Sequence, residues 1–257
     1  MKEKTRERDE EVKNQQDKKY KKYERQVKEK LILWLKEKHR DWIISKRTMK
    51  NIDVLAYHKA SDILISFEVK APVYLLKDYL IIKKEGKLVG WQAYWSRHKN
   101  KTSKAKGLPK GDLEVFKELG YETEKHKRLH YPAPDIIYTG IGQSFFNLRY
   151  VNRSYLVLPN FFYLSQPFYQ IFLDVLFNRC LPLGLIEYEF FLKNQGEKTE
   201  ELVVKEFKEI YKAKDLFLWK NYIEVLHKRN GIEERKEQAI RSFLKERLLD
   251  IEKEESE

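Results

Sequence analysis

One cysteine in 257 residues, Cys180, leaves no partner for an intramolecular disulfide and no ligand set for a four-cysteine zinc site or an iron–sulfur cluster. Its apolar surroundings predict an inert buried thiol. The six histidines show no metal-ligand spacing. An apolar leader is missing as well: residues 1–19, MKEKTRERDEEVKNQQDKK, are charged throughout and hold no h-region of a secretory signal, which with the free thiol points to the cytoplasm. Long apolar runs are scarce. Residues 155–173 are free of charge, yet Pro159, Asn160, Ser165, Gln166, Pro167 and Gln170 would leave polar groups unsatisfied in lipid. That stretch reads as a buried strand followed by a helix, and no membrane partner is expected. Only 10 glycines beside 36% charged residues resemble a thermophile's composition, which bears on stability and not on function. No internal repeat is evident.

What is present suffices for a core, since 42% hydrophobic and 14% aromatic residues exclude wholesale disorder. The length suits one elaborated domain or a domain with an appended module. Lys and Arg number 52 against 40 Asp and Glu, and the net charge of +12 favours a polyanionic partner, because each cation that neutralises a phosphate releases a counterion.

Along the chain, residues 9–39 lack Gly and Pro and place Tyr20, Tyr23, Val27, Leu31, Trp34 and Leu35 at helical steps, which predicts a long helix. Strands are expected over 42–49, 51–57 and 62–71, with 58–61 as a hairpin turn and Pro72 ending the pairing. A further hairpin is expected around Glu85-Gly86, then a helix from Gly90 carrying Trp91, Tyr94, Trp95 and His98. Residues 97–110 form a basic loop, and 113–119 a short helix ending at Gly120. Residues 121–152 fit short strands or an irregular insertion equally well. A β-α-β unit follows, with strands at 154–158 and 183–191 around a helix at 161–180, and beyond Gly196 the composition reads as a charged helical tail broken near Asn230-Gly231.

The informative segment is NIDVLAYHKASDILISFEVKA, residues 51–71. In its second strand Ile63, Ile65, Phe67 and Val69 point one way and Ser66, Glu68 and Lys70 the other. A turn centred near Ala60 puts Asp53 within one position of Glu68, so two carboxylates and a lysine converge. Carboxylates gathered in a strand built for burial repel one another, and a divalent cation relieves that cost. Mg2+ takes one or two carboxylates plus water and phosphate oxygens, with Mn2+ as a substitute, and the chemistry such a set supports is phosphodiester hydrolysis.

These residues resemble the PD-(D/E)XK nuclease superfamily, the restriction-endonuclease-like fold. Its pattern of an acid on one strand and acid-x-Lys on the next is met by Asp53 and by Glu68-Val69-Lys70, with Ile52 where the family has proline. The resemblance implies a third metal-site acid on the preceding helix, matched by Glu24, and the Val69 carbonyl as a further ligand. A glutamine on the following helix is matched by Gln92, although Tyr94 and Trp95 do not keep the family's spacing. Acid-x-Lys alone is weak, because Glu11-Val12-Lys13, Asp17-Lys18-Lys19, Glu85-Gly86-Lys87, Glu206-Phe207-Lys208 and Glu234-Arg235-Lys236 also satisfy it. Only Glu68 lies in an apolar strand. Pro134-Asp135 is a literal Pro-Asp with no suitable acid-x-Lys after it.

Plainer readings exist for the same residues. Glu68 and Lys70 also fit a surface ion pair, Glu24 an i,i+4 pair with Lys28, and Trp91, Tyr94 and Trp95 core packing. The sequence as a whole predicts an α/β protein: a restriction-endonuclease-like mixed sheet flanked by helices over 20–195, with an insertion at about 97–152, a charged helical tail at 1–19 and a charged helical C-terminal extension at 196–257. The expected activity is Mg2+-dependent cleavage of DNA, RNA being the other candidate substrate. Asp53, Glu68, Lys70, Glu24 and Gln92 are the catalytic set, and Arg97, Lys101, Lys104 and Lys106 contact phosphate. A homodimer is favoured if both strands are cut. The alternative is a binding or scaffold protein that keeps the fold without catalysis.

Overall fold

The computed structural model describes residues 2–45, 48–72, 74–93, 117–131, 134–160, 172–194, 200–214 and 231–256. Helix α1 (Lys2–Lys38) presents Tyr23, Val27, Leu31 and Leu35 as a fully buried stripe, as the four-residue spacing requires. Lys36 and Lys38 in its last turn sit favourably at the negative end of the helix dipole. Strands β1 (Trp42–Ile44), β2 (Val54–His58) and β3 (Ile63–Val69) follow as an antiparallel meander. Between β1 and β2, Lys50 and Asn51 both take positive φ and close a tight turn, across which Met49 and Ile52 pair. Asp53 is thereby delivered just ahead of β2.

β4 (Tyr74–Lys84), β5 (Lys87–Ala93) and β6 (Glu122–Tyr131) form a separate antiparallel sheet in the order β5-β4-β6. Glu85 and Gly86, both at positive φ, make the expected two-residue turn of the β4–β5 hairpin. In place of the helix expected from Gly90, residues 90–93 are the second half of β5, with Trp91 paired to Ile81 and Gln92 to Leu80, and Tyr94, Trp95 and His98 lie outside the described residues. Pairing with a long neighbouring strand overrides the helical spacing of the aromatic residues. The ambiguous stretch before Asn152 resolves into β6 and helix α2 (Pro134–Asn147), with Pro134-Asp135 as the helix start, where proline costs no hydrogen bond.

β7 (Arg153–Pro159) runs parallel to β3, and β8 (Gly184–Asn194) parallel to β7. Before β8 lies a π-type helix (Phe172–Cys180), whose terminal Cys180 is exposed, contrary to the buried thiol expected. The C-terminal part is also not wholly helical: β9 (Glu200–Tyr211) pairs antiparallel with β8, and residues 231–256 form helix α3 (Gly231–Ser256). The Glu- and Lys-rich sequence of β9 has the composition of a solvated helix, and its partner is what decides for strand.

The main sheet thus has six strands in the order β1-β2-β3-β7-β8-β9, parallel at its centre and antiparallel at both sides. One face buries Val54, Ala56, Ile65, Phe67, Val69, Val157 and Tyr188 with the α1 stripe. The other buries Leu55, Leu64, Leu156, Leu158 and Leu185 with Ile137 and Leu148 of the α2 region and Leu244 and Leu248 of α3. The chain is therefore a mixed α/β protein with helices on both faces of a mixed sheet. Among the described residues no helix is long and apolar enough to cross a membrane.

Candidate active site

β2 and β3 pair with Val54 opposite Phe67, so one step further along the ladder Asp53 meets Glu68. The backbone holds that meeting in place, because the Val69 N–H donates to Asp53 Oδ2 at 2.9 Å. On β3, Ser66 and Glu68 face the α2 side, and Ser66 donates or accepts with Ser154 Oγ at 2.8 Å across the β3–β7 pair. Lys70 extends the ladder past the strand end, its N–H bonding the Val157 carbonyl at 2.9 Å, while its own carbonyl accepts from Tyr188 at 2.9 Å. The site thus lies at the carboxyl end of a central parallel strand, the end at which open α/β sheets bind ligands.

Lys70 is buried, and its ammonium donates to Glu68 Oε1 at 2.7 Å and to Gln143 Oε1 of α2 at 2.6 Å. The stem of that side chain passes α2 at Gly140. A Cβ there would meet Leu156 Cδ1 at 2.7 Å and Lys70 Cε at 3.0 Å, so only glycine lets the helix come this close. Glu68 is the most buried acid of the group, and its second oxygen, Oε2, accepts no hydrogen bond among the described residues. Burial first, then the charge of Asp53, pushes its carboxyl up to about 7 against the opposing pull of Lys70; Glu24 adds to the rise.

From the other layer, α1 brings Glu24 and Lys28. The Lys28 ammonium lies 2.5 Å from Glu24 Oε1 and 2.6 Å from Asp53 Oδ1, with less than a fifth of its side chain exposed. Burial alone would lower its pKa; the hydrogen bonds to Asp53 and Glu24 overcome this and hold it up. Burial also raises the hydroxyls of Tyr20 and Tyr188 well above the ordinary tyrosine range, with Glu24 and Asp53 adding to the effect at Tyr20. Glu24 thus makes the i,i+4 pair with Lys28, and that shared ammonium links it to Asp53.

No family model, curated protein or solved structure matches this chain. Of the residues singled out in the sequence, Asp53, Glu68, Lys70 and Glu24 come together, with Val69 as the backbone link between two of them. Gln92 is not on a following helix but on β5, and its side chain lies outside the described residues, as do Arg97, Lys101, Lys104 and Lys106. The glutamine found at the lysine is Gln143.

Four members of the cluster were not singled out for the site: Gln143, Gly140, Tyr188 and Lys28, the last noted only as a partner of Glu24. A signal for the first two exists, since parallel strands 3 and 7 need a crossover helix and Pro134-Asp135 is a good helix start. Tyr188 carries no such signal, as its role depends on β8 lying next to β7. Among the described residues no three His, Cys, Asp or Glu side chains are arranged around one point as metal ligands. The reason is visible in the contacts: Lys28 holds Glu24 and Asp53, and Glu68 turns one oxygen to Lys70.

Proposed function

We propose that the chain is a metal-dependent nuclease of the PD-(D/E)XK type that hydrolyses DNA phosphodiester bonds, with Asp53, Glu68 and Lys70 at its centre. The observation carrying this reading is a buried acid-x-Lys at the end of a central strand, in register with a second acid. A structural ion pair explains Glu68 and Lys70 alone, but not a carboxylate with one buried, unbonded oxygen placed beside Asp53. The donor set fits Mg2+: hard carboxylate oxygens, one of them without a hydrogen bond, in a site with surplus negative charge. Asp53 and Glu68 would hold the ion, with Glu24 and the Val69 carbonyl as further ligands. When bound, such an ion supplies Lewis-acid stabilisation of the charge that grows on the phosphoryl oxygens.

The chain's own groups do the rest. Asp53 is fixed by the Val69 N–H, and β3 is fixed by Tyr188 through the Lys70 carbonyl, so the acids are set before substrate arrives. Lys70, oriented by Glu68 and Gln143, faces the place where a water attacks phosphorus, holding that water or the scissile phosphate by its ammonium. One P–O bond forms to the water oxygen as that water gives up a proton, and one breaks to the leaving sugar oxygen, which takes a proton up. A net charge of +12 favours the polyanionic substrate.

A second reading is favoured by one observation. The Lys28 ammonium already bridges Glu24 and Asp53, as it would in a nucleic-acid-binding protein that keeps the fold and has lost catalysis. The test is to incubate pure protein with linear, circular, single-stranded and branched DNA, and with RNA, in Mg2+, in Mn2+ and in chelator. Cleavage of DNA with either metal and none in chelator is expected. DNA binding without cleavage under any condition would favour the second reading.

A further inference from the structure

The two faces of the site are linked by Lys28, and the charge count there is uneven. Glu24, Asp53 and Glu68 supply three carboxylates, while Lys28 and Lys70 supply two ammonium groups, so with every group ionised one negative charge is left over. Adding a divalent cation with Lys28 in place would overshoot to positive. Exchanging Lys28 for the cation would bring the cluster to neutrality. The contacts permit the exchange: Lys28 bonds Glu24 and Asp53, whereas Lys70 bonds Glu68 and Gln143, so the two ammonium groups hold separate partners. Lys28 is also the more exposed of the two, and its long stem springs from the flank of α1, one turn after Glu24. A flexible stem with a water-facing side lets the ammonium leave without unpacking the Val27 and Leu31 stripe.

We propose that Lys28 is a tethered counter-ion that holds Glu24 and Asp53 together in the metal-free protein and is displaced by the divalent ion. It thereby sets the metal concentration at which the site fills. The inference rests on the nuclease reading for the metal and adds a residue that no acid-x-Lys pattern includes. Its consequences are opposite for the empty and filled states. Without Lys28 the metal-free protein loses its only described cation on the Glu24–Asp53 pair, and like charges are left facing each other. With metal, the same variant no longer has a competitor to expel, and linkage requires the affinity to rise by the coupling between the two cations, on the order of tenfold to a hundredfold.

The experiment measures Mn2+ binding by calorimetry to wild type, Lys28→Met and Lys28→Arg, with thermal unfolding of each in chelator and in Mn2+. Expected are a lower melting temperature for Lys28→Met in chelator, a Mn2+ affinity at least about tenfold tighter than wild type, and no tightening in Lys28→Arg. A measurement on wild type covers the case in which Lys28→Met does not fold. Side-chain nitrogen NMR of lysine-labelled wild type, with signals assigned by Lys28→Arg and Lys70→Arg, should show the Lys28 and Lys70 ammonium groups protected by their bonds, and Mg2+ should remove the protection of Lys28 while leaving Lys70. Equal Mn2+ affinities of wild type and Lys28→Met, or Mg2+ bound with Lys28 still protected, would overturn the counter-ion role and leave the nuclease reading standing. If neither protein binds Mn2+ while both are folded, the metal-dependent reading and this inference fall together.

Discussion

Gly140→Ala isolates the packing of α2 against the Lys70 stem. Two effects oppose each other. Alanine in a helix interior is favoured over glycine by about 1 kcal/mol. The added methyl, however, would sit 2.7 Å from Leu156 Cδ1, 3.0 Å from Lys70 Cε and 3.1 Å from Lys70 Cγ. All three distances fall well short of an ordinary carbon–carbon contact of about 3.5–4.0 Å. Overpacking of a tight core costs about 1–3 kcal/mol, so the net change is a loss of up to about 2 kcal/mol, less if Lys70 moves aside. Movement of Lys70 is the informative outcome, because its bonds to Glu68 and Gln143 leave it little room to shift without losing one of them. Urea unfolding gives the stability term, and single-turnover cleavage gives the cost to Lys70. The expectation is a modest stability loss with a much larger fall in cleavage, partly restored by Leu156→Val, which frees space on the other side of the methyl. A variant stabilised by the full helix-propensity gain, with unchanged cleavage, would refute the close approach of α2 to Lys70.

Glu68 should make the metal-free fold pH-dependent. Its folded pKa of about 7 lies above the ordinary 4.5, so the folded protein keeps a proton that the unfolded chain releases between these values, and stability falls as pH rises through that window. Comparing urea unfolding of wild type and Glu68→Gln in chelator at pH 5 and pH 8, about 3 kcal/mol of loss should belong to wild type alone; parallel pH profiles would contradict the burial of this acid. Replacing Lys101, Lys104 and Lys106 with Gln should weaken DNA binding on all sequences and flatten its salt dependence by about one unit per lost phosphate contact. An unchanged slope would move the binding surface elsewhere.

The legible part of this molecule was the part fixed by local pattern. The α1 stripe, the register that brings Asp53 to Glu68, and the β7 and β8 strands follow from spacing, turn residues and apolar runs. What escaped was fixed by distant partners. The Trp91 and Gln92 segment looks helical until β4 lies beside it, and the Glu- and Lys-rich β9 looks like a solvated helix until β8 pairs with it. The same division runs through the site. Asp53, Glu68 and Lys70 are close in sequence and converge through one hairpin, whereas Gln143 is 73 residues from Lys70 and Tyr188 is 118 residues away. Lys28 was visible as a partner of Glu24, but its bond to Asp53 depends on how α1 packs on its face of the sheet.

The most direct test of the nuclease assignment is single-turnover cleavage of labelled DNA in Mg2+ by wild type, Asp53→Asn, Glu68→Gln and Lys70→Met, each first shown to be folded. Metal-dependent cleavage by wild type is expected, with a loss of at least about a hundredfold in each of the three variants and a smaller loss in Glu24→Gln. Cleavage at the wild-type rate by all three variants, in a preparation free of contaminating nuclease, would contradict the assignment.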